Sequence, residues 1–153
     1  GEAVIAGAES AARSGARPAH ERRILLVDDD GPLRQSLAEQ LRLPEEFDTA
    51  ASDSGAAAID LCQTQRYDLL LLDVGLPDGD GLGLVPSVKM VSPNTQVVIL
   101  TCSTDETTLM RAIDSGASGF LSKGCSLNEL MNTVRRAAMG EIVMPPGLRL
   151  PVR

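Results

Sequence analysis

The chain has 153 residues, with 21 acidic and 14 basic side chains, and its net charge is −7. This length suits one domain with short tails, because two packed domains would each have too small a core. Aromatic residues make up only 2% of the chain, and the negative charge is spread along it. The composition therefore offers few surfaces for stacking single-stranded nucleic acid and opposes binding to a duplex. No apolar stretch approaches the roughly 20 residues of a membrane span, so no membrane role is expected.

The N-terminal segment, residues 1–21, is rich in Ala, Gly, Ser and Arg and poor in large apolar side chains. This composition predicts a disordered leader that lacks the apolar core of a signal peptide. The single histidine, His20, lies in this leader, so sites built on several histidines are excluded. The three cysteines are odd in number and lack metal-ligand spacing, which indicates reduced thiols and a cytoplasmic protein.

From residue 22 onward, segments typical of strands alternate with segments typical of helices. The apolar runs 69–72 and 97–100 are continuous, which fits strands that are buried on both faces of a parallel sheet. The predicted strands are 24–27, 47–51, 67–73, 96–101 and 117–122.

Capping residues predict where the first, second and fifth helices begin. Asp30 is expected to cap the first helix, and Ser52 or Asp53 the second. The segment Ser126–Glu129 has the spacing of a capping box, which indicates the start of the fifth helix. Its predicted buried stripe is Leu127, Leu130, Met131, Val134 and Ala138.

The third and fourth helices are both predicted from the spacing of their apolar residues, but the sequence opposes the third helix and supports the fourth. Gly83 and Pro86 oppose the third helix, at about 82–91, so we expect it to be kinked, shortened or started late. The fourth helix, 104–115, should end at Gly116 in the left-handed conformation that follows many helices.

Five strands alternating with five helices predict an α/β fold with right-handed crossover connections. A flavodoxin-like three-layer (βα)5 sandwich, with parallel strand order 2-1-3-4-5, is the expected arrangement for this number of elements. This order places strands one and three side by side at the point where the strand order reverses.

Four predicted strands run into polar residues of different chemical kinds. The first is followed by the acids at 28–30, the third ends on Asp73, the fourth on Thr101, and the fifth is followed by Lys123. Ligands of open parallel sheets bind beyond the carboxyl ends of the strands, so we expect these side chains to converge there. Carboxylates, a hydroxyl and an ammonium group together could hold a divalent cation and a phosphoryl group.

The chemistry of these residues predicts a metal-assisted phosphoryl acceptor. Crowded carboxylates raise one another's pKa unless a cation is bound, and oxygen ligands alone favour a hard ion such as Mg²⁺. Asp28 and Asp29 are the candidate metal ligands, whereas Asp30 is explained by its capping role. Asp73 could take a phosphoryl group as an acyl phosphate, while Lys123 neutralises the developing charge.

Four motifs, in this order and spacing, resemble the receiver domain of two-component response regulators over residues 22–141. They are ILLVDD at 24–29, LLDVGLPDGDG at 71–81, VILT at 98–101 and GASGFLSK at 116–123. The resemblance implies a CheY-like switch that takes a phosphoryl group from a sensor histidine kinase or a phosphotransfer protein.

The resemblance also implies a role for each matching residue. Asp73 corresponds to the phosphoacceptor, and Asp28, Asp29, Asp73 and the main-chain carbonyl of Gly75 to the Mg²⁺ ligands. Thr101 and Lys123 correspond to the hydroxyl and the amine that contact the phosphoryl group. The implied signal is a coupled movement of Thr101 and Phe120.

Three positions depart from the commonest receiver pattern. Gly124 replaces a proline that is frequent after the lysine, which would loosen that loop. Cys102 replaces a smaller residue and would restrict access to Asp73 or hinder the inward shift of Thr101. Phe120 lacks the hydroxyl of a tyrosine and cannot donate a hydrogen bond when it turns outward. Because no reacting group is missing, we expect a competent receiver with an altered phosphoryl lifetime.

The motifs at 116–141 most resemble receivers that precede a helix-turn-helix output domain, and residues 142–153, with Pro145 and Pro146, are typical of a linker. The chain is therefore expected to be either a receiver excised from a transcription regulator or a stand-alone phosphate sink or messenger. DNA contact would require the absent output domain, and phosphorylation-dependent homodimers are possible partners.

An aspartate-nucleophile phosphohydrolase is the alternative enzyme. That chemistry normally uses a second acid two residues after the nucleophile, and Gly75 occupies this position. We therefore expect no enzymatic turnover beyond slow autodephosphorylation.

Overall fold

The computed structural model describes residues 22–43, 47–76, 79–101 and 106–143. Within these ranges, five strands form one parallel sheet in the order β2-β1-β3-β4-β5. The predicted flavodoxin-like order is therefore confirmed, and β1 and β3 are neighbours. The strands are β1 (Arg22–Val27), β2 (Phe47–Ser52), β3 (Leu69–Asp73), β4 (Gln96–Thr101) and β5 (Gly119–Ser122).

Helices connect the strands, and a short antiparallel ladder between Gly75–Leu76 and Gly79–Asp80 follows β3. None of the helices in the described ranges is long and apolar enough to cross a bilayer. The helices are α1 (Gly31–Arg42), α2 (Gly55–Thr64), α3 (Gly81–Val91), α4 (Glu106–Ser115) and α5 (Leu127–Ala138).

The sheet is the middle of three layers, with a separate apolar core on each face. Leu70 and Leu72 pack toward α2, α3 and α4, whereas Leu69 and Leu71 pack toward α1 and α5. All four leucines of β3 are at most 2% exposed. Burial of one such side chain contributes about 1.5–3 kcal/mol, so both faces of the strand favour apolar residues. This explains the continuous apolar run in the sequence.

Two of the predicted helix caps are confirmed, and one is wrong. Asp30 accepts a hydrogen bond from the Leu33 N–H at 3.0 Å, and Ser126 accepts one from the Glu129 N–H at 3.1 Å. The second helix is capped by Ser54 and not by Ser52 or Asp53. The reason is that β2 continues through Ser52, which is paired with Val27 of β1, so the chain is still extended there.

The third helix is neither shortened nor started late, since α3 extends from Gly81 to Val91 with Pro86 inside it. Its residues Leu82, Val85 and Val88 are buried in the core. Burial of this apolar face offsets the destabilisation of roughly 3 kcal/mol that an internal proline causes.

The last two helices agree with the predicted pattern in part. Gly116 follows α4 with φ +105°, as expected for the left-handed position, while residues 104–105 lie outside the described ranges. In α5, Leu127 is 45% exposed, so it was wrongly placed in the buried stripe. Ala137 is fully buried there instead.

The described chain stays in contact with the sheet to its last residue, Val143. Its N–H donates to the Ser118 carbonyl at 2.8 Å, and it forms a parallel bridge with Gly119. Val143 is buried in the α1–α5 core, two residues beyond the predicted domain end at 141. The predicted leader, 1–21, and residues 144–153 lie outside the described ranges.

Candidate functional site

The carboxyl edge of the sheet brings together the polar residues that the sequence singled out. Asp28 follows β1, Asp73 ends β3, Thr101 ends β4 and Lys123 follows β5. Asp28, Asp73 and Thr101 are each at most 3% exposed. Because β1, β3, β4 and β5 are consecutive neighbours, the buried acids and hydroxyl lie along one continuous edge.

Lys123 forms an ion pair with the acids of the site. Its Nζ lies 3.1 Å from Asp73 Oδ2 and 3.8 Å from Asp28 Oδ2. The Lys123 N–H donates to the Thr101 carbonyl at 2.9 Å, which fixes the start of the β5–α5 loop against the end of β4. The predicted convergence of the lysine with the acids is therefore confirmed, and the same loop is anchored to the threonine.

The three acids that were predicted to bind a metal form one cluster. Carboxylate oxygens of Asp28, Asp29 and Asp73 all lie within 4.8 Å of one another. Asp29 is exposed, whereas the other two are buried, so the cluster is open to solvent on one side. Mg²⁺ is usually bound in proteins by one or two carboxylates together with several waters, which this open acidic cluster can supply.

Asp28 gives an independent sign that a cation fits here. Its Oδ1 accepts the Asp30 N–H at 2.9 Å, but its buried Oδ2 has no hydrogen-bond partner among the described residues. Burial raises the pKa of Asp28, and the neighbouring Asp73 carboxylate raises it further, whereas the Asp30 N–H and Lys123 lower it. A buried carboxylate oxygen without a donor is unfavourable, and a bound cation would satisfy it.

The loop after Asp73 is packed so tightly that one position requires glycine. Gly81 donates its N–H to the Val74 carbonyl at 2.8 Å. A Cβ atom at Gly81 would lie 2.5 Å from the Asp73 carbonyl oxygen. The sequence showed Gly81 as part of a glycine-rich loop, but its contact with the Asp73 backbone was not predicted. Gly75 belongs to the short ladder after β3, and the role of its carbonyl stays a prediction.

Phe120, the predicted switch aromatic, is buried in the structure. It is 2% exposed and belongs to the same core cluster as Ile99, Leu109 and Ala112. Its neighbour Gly119 faces Val98, whose Cγ2 would lie 3.2 Å from a Cβ atom. The predicted repacking of Phe120 would thus start from an inward position.

Arg34 is a residue of the site that the sequence analysis missed. Its Nη1 donates to the main-chain carbonyl of Asp28, and the Asp28 N–H donates to the Ser52 carbonyl at 3.1 Å. The loop that carries the acid pair is therefore held by α1 and by β2. An arginine six residues after the first acid is the only sequence signal for this contact.

The other two departures from the common pattern have different outcomes. The Gly124 N–H donates to Ser122 Oγ at 3.2 Å, a bond that a proline at this position could not form. The loop therefore has a hydrogen bond in place of the proline ring, and its looseness stays a prediction. Cys102 lies outside the described residues.

Residues 24–135 match the family model of the response regulator receiver domain. The transcriptional regulatory protein LnrK of Bacillus subtilis is 30% identical over 127 residues, which cover 82% of this chain and 58% of LnrK. The response regulator protein VraR of Staphylococcus epidermidis is 29% identical over 86% of this chain and 63% of VraR. The chain thus spans about three fifths of the length of these curated relatives.

The solved structures show the same fold. A LuxR-family two-component response regulator from Aurantimonas sp. is similar with a TM-score of 0.78. The match covers 82% of this chain and 91% of that one, at 22% sequence identity.

Proposed function

We propose, because this chain belongs to the receiver domain family of response regulators, that Asp73 accepts the phosphoryl group and that Asp28 and Asp29 serve its metal ion. Receivers take phosphoryl groups from histidine kinases, so the donor is a phosphohistidine on a sensor kinase or phosphotransfer protein. The observation that carries the proposal is the buried Asp73 carboxylate, with Lys123 Nζ at 3.1 Å and two further acids beside it.

The transfer forms one bond and breaks one bond. A carboxylate oxygen of Asp73 attacks phosphorus, and the new P–O bond forms as the P–N bond of phosphohistidine breaks. The imidazole, which is protonated at its other ring nitrogen, leaves as the neutral base. Asp28, Asp29 and Asp73, with the carbonyl of Gly75, are the proposed ligands of Mg²⁺. When bound, Mg²⁺ supplies positive charge to the phosphoryl oxygens.

The residues of the chain have separate roles around the acyl phosphate. Lys123 would move from the unphosphorylated Asp73 carboxylate to a phosphoryl oxygen, since its ammonium already lies beside that carboxylate. Thr101, buried at the end of β4, would donate its hydroxyl to another phosphoryl oxygen. Its shift would allow Phe120 to repack and change the surface formed by α4, β5 and α5.

The acyl phosphate should be lost slowly, by attack of water, without turnover of a separate substrate. Fast hydrolysis in aspartate-nucleophile phosphohydrolases needs an acid two residues after the nucleophile, and this chain has Gly75 there. The chain would therefore be a phosphoacceptor and not an enzyme.

The relatives support a proposal for the output of the switch. LnrK is a transcriptional regulatory protein, so control of transcription in the cytoplasm through a DNA-binding domain is the output that we favour. A receiver that acts alone as a phosphate sink or messenger is the alternative. Phosphorylation-dependent homodimers, through either the α4–β5–α5 surface or the α1–α5 face, would fit either role.

Phosphate uptake from a small phosphodonor tests the proposal. With acetyl phosphate and Mg²⁺, intact mass spectrometry should show one added phosphoryl group on the parent chain and none on Asp73→Asn. Asp60→Asn, which removes an exposed acid from α2, is the matched control and should be phosphorylated like the parent. Equal uptake by Asp73→Asn and the parent would overturn the assignment.

A further inference from the structure

A groove of about 530 Å³ runs between α1 and the outer edge of β2, and Arg34 lies at the end of it that is nearest the acid pair. Among the described strands, β2 is at the edge of the sheet, so its outer main-chain groups face no neighbouring strand. The groove exists because the facing side chains are small: Thr49 and Ala51 on one face of β2, and Ala38 on the helix.

Two arginines flank this groove, although the net charge of the chain is −7. Arg34, Ala38 and Arg42 are spaced by four residues and form one stripe along α1, and all three line the groove. The helical rise places the two arginine Cα atoms about 12 Å apart. Asp48, the acid of β2, forms an ion pair with Arg23 at 3.6 Å.

We propose that this groove binds an extended acidic segment of a partner protein, which adds to the outer edge of β2, the outermost of the described strands. Added strands bind through main-chain hydrogen bonds, and their side chains give the specificity. An extended chain advances about 3.3 Å per residue, so two acids four residues apart span about 13 Å and match the arginine pair. Residues i, i+2 and i+4 of a strand share one face, and a small residue at i+2 would lie over Ala38.

One of the two arginines is already held in place. Arg34 donates from Nη1 to the Asp28 carbonyl, which fixes its guanidinium before a ligand arrives. A guanidinium has five N–H donors, so the others can serve a carboxylate. The recognised sequence is therefore acidic-x-small-x-acidic in an extended conformation, and it is distinct from the phosphohistidine donor.

Binding of a designed peptide tests this inference directly. The full ¹⁵N-labelled chain is titrated with acetyl-Thr-Glu-Val-Ala-Val-Glu-Thr-amide. We expect amide shifts concentrated at residues 49–51, and side-chain shifts at Arg42. A peptide with both Glu residues replaced by Gln should bind at least about tenfold more weakly, because two charge-assisted contacts are lost. A peptide with acids three residues apart should also bind weakly, because its carboxylates point to opposite faces.

Protein variants separate the groove from general electrostatic attraction. Arg42→Gln should weaken binding of the acidic peptide about fivefold or more, since one charged contact is lost. The matched control, Arg66→Gln, removes an exposed arginine outside the groove and should leave the affinity unchanged. Arg42 is exposed, so its replacement should leave the fold intact.

Several results would overturn the inference. They are equal affinities for the acidic and the Gln peptides, equal losses for Arg42→Gln and Arg66→Gln, shifts that map outside 49–51, and no binding at millimolar peptide. If the shifts at 49–51 develop with protein concentration alone, the occupant is a second copy and not an acidic partner. None of these readouts depends on phosphorylation of Asp73, so the proposed function is tested separately.

Discussion

The two ends of the parallel strands bury polar groups in opposite ways. The strands begin at the amino edge of the sheet and end at its carboxyl edge. At the amino edge, Thr95 is 1% exposed, and its hydroxyl donates to the Tyr67 carbonyl at 2.7 Å and contacts Ser92 Oγ at 2.5 Å. Lys89 Nζ donates to the Thr95 carbonyl at 2.6 Å. At the carboxyl edge, buried Asp28 Oδ2 has no hydrogen-bond partner among the described residues.

This difference separates residues that stabilise the fold from the residues that we propose for the phosphoryl transfer. A cavity of about 350 Å³ opens at the amino edge, yet the polar residues named there are satisfied by one another. The carboxyl edge holds two buried acids beside one lysine, an arrangement that is unfavourable until a cation joins it. Incomplete pairing therefore identifies the functional edge better than cavity volume does.

The largest expected contrast comes from one lysine at each edge. Lys123→Met should slow phosphorylation of Asp73 from acetyl phosphate by about 100-fold, the effect of removing one group that stabilises developing charge. Lys89→Met is the matched control, and it should leave the rate unchanged while lowering the free energy of unfolding by about 1 kcal/mol. Rates from intact mass spectrometry and unfolding in urea measure the two effects. Similar losses of rate in both variants would remove the distinction between the edges.

A hydroxyl at the amino edge should matter for stability alone. Thr95→Val leaves the Tyr67 carbonyl and the Ser92 hydroxyl without this partner, which should lower the free energy of unfolding by about 1–3 kcal/mol. Thr64→Val, at an exposed position on α2, should change it by less than about 0.5 kcal/mol. Phosphorylation at a temperature where all three proteins are folded should proceed at the parent rate. A slower rate for Thr95→Val would show that the amino edge contributes to the chemistry.

The smallest expected effect is a gain in the free energy of unfolding, whereas the stability changes expected of the preceding variants are losses. Without metal, Asp28→Asn should raise the free energy of unfolding by roughly 1 kcal/mol, because a charged carboxylate no longer has to be buried, while the lost repulsion from Asp73 and the lost attraction to Lys123 largely offset each other. The matched control is Asp60→Asn, which should leave stability unchanged. Calorimetry in the presence of a chelator measures this gain, and Mg²⁺ titrations should show weaker binding to Asp28→Asn. A loss of stability in Asp28→Asn would mean that the carboxylate is satisfied without a cation.

The pH dependence of this gain follows from the direction of the pKa shift. The folded-state pKa of Asp28 lies above its ordinary value of 3.8, mainly because the carboxyl is buried. Folding therefore favours the protonated form, and the parent loses stability relative to Asp28→Asn as the pH rises above 3.8. Below that value the carboxyl is protonated in both states, and the difference should vanish. A gain that stays constant down to pH 3 would contradict this explanation.

The sequence was sufficient for the strand order and for the acids, threonine and lysine of the site. Strand ends are marked by a change from apolar to polar residues, and the parallel topology then brings Asp28, Asp73 and Lys123 to one edge. The cap of α2 was misplaced because the end of β2 depends on pairing of Ser52 with Val27, which local propensity does not contain. The contact of Arg34 with the Asp28 carbonyl was not predictable, since many side-chain directions are compatible with an arginine at that position.

The hydrogen bond of Val143 determines how a displacement of β5 would be transmitted to the end of the domain. Its N–H donates to the carbonyl of Ser118, two residues before Phe120, the proposed switch aromatic. A displacement of β5 would pull directly on the chain at residue 143, without an intervening hinge. The backbone hydrogen bond at Val143 can thus act as a short tether between β5 and the residues that follow Val143.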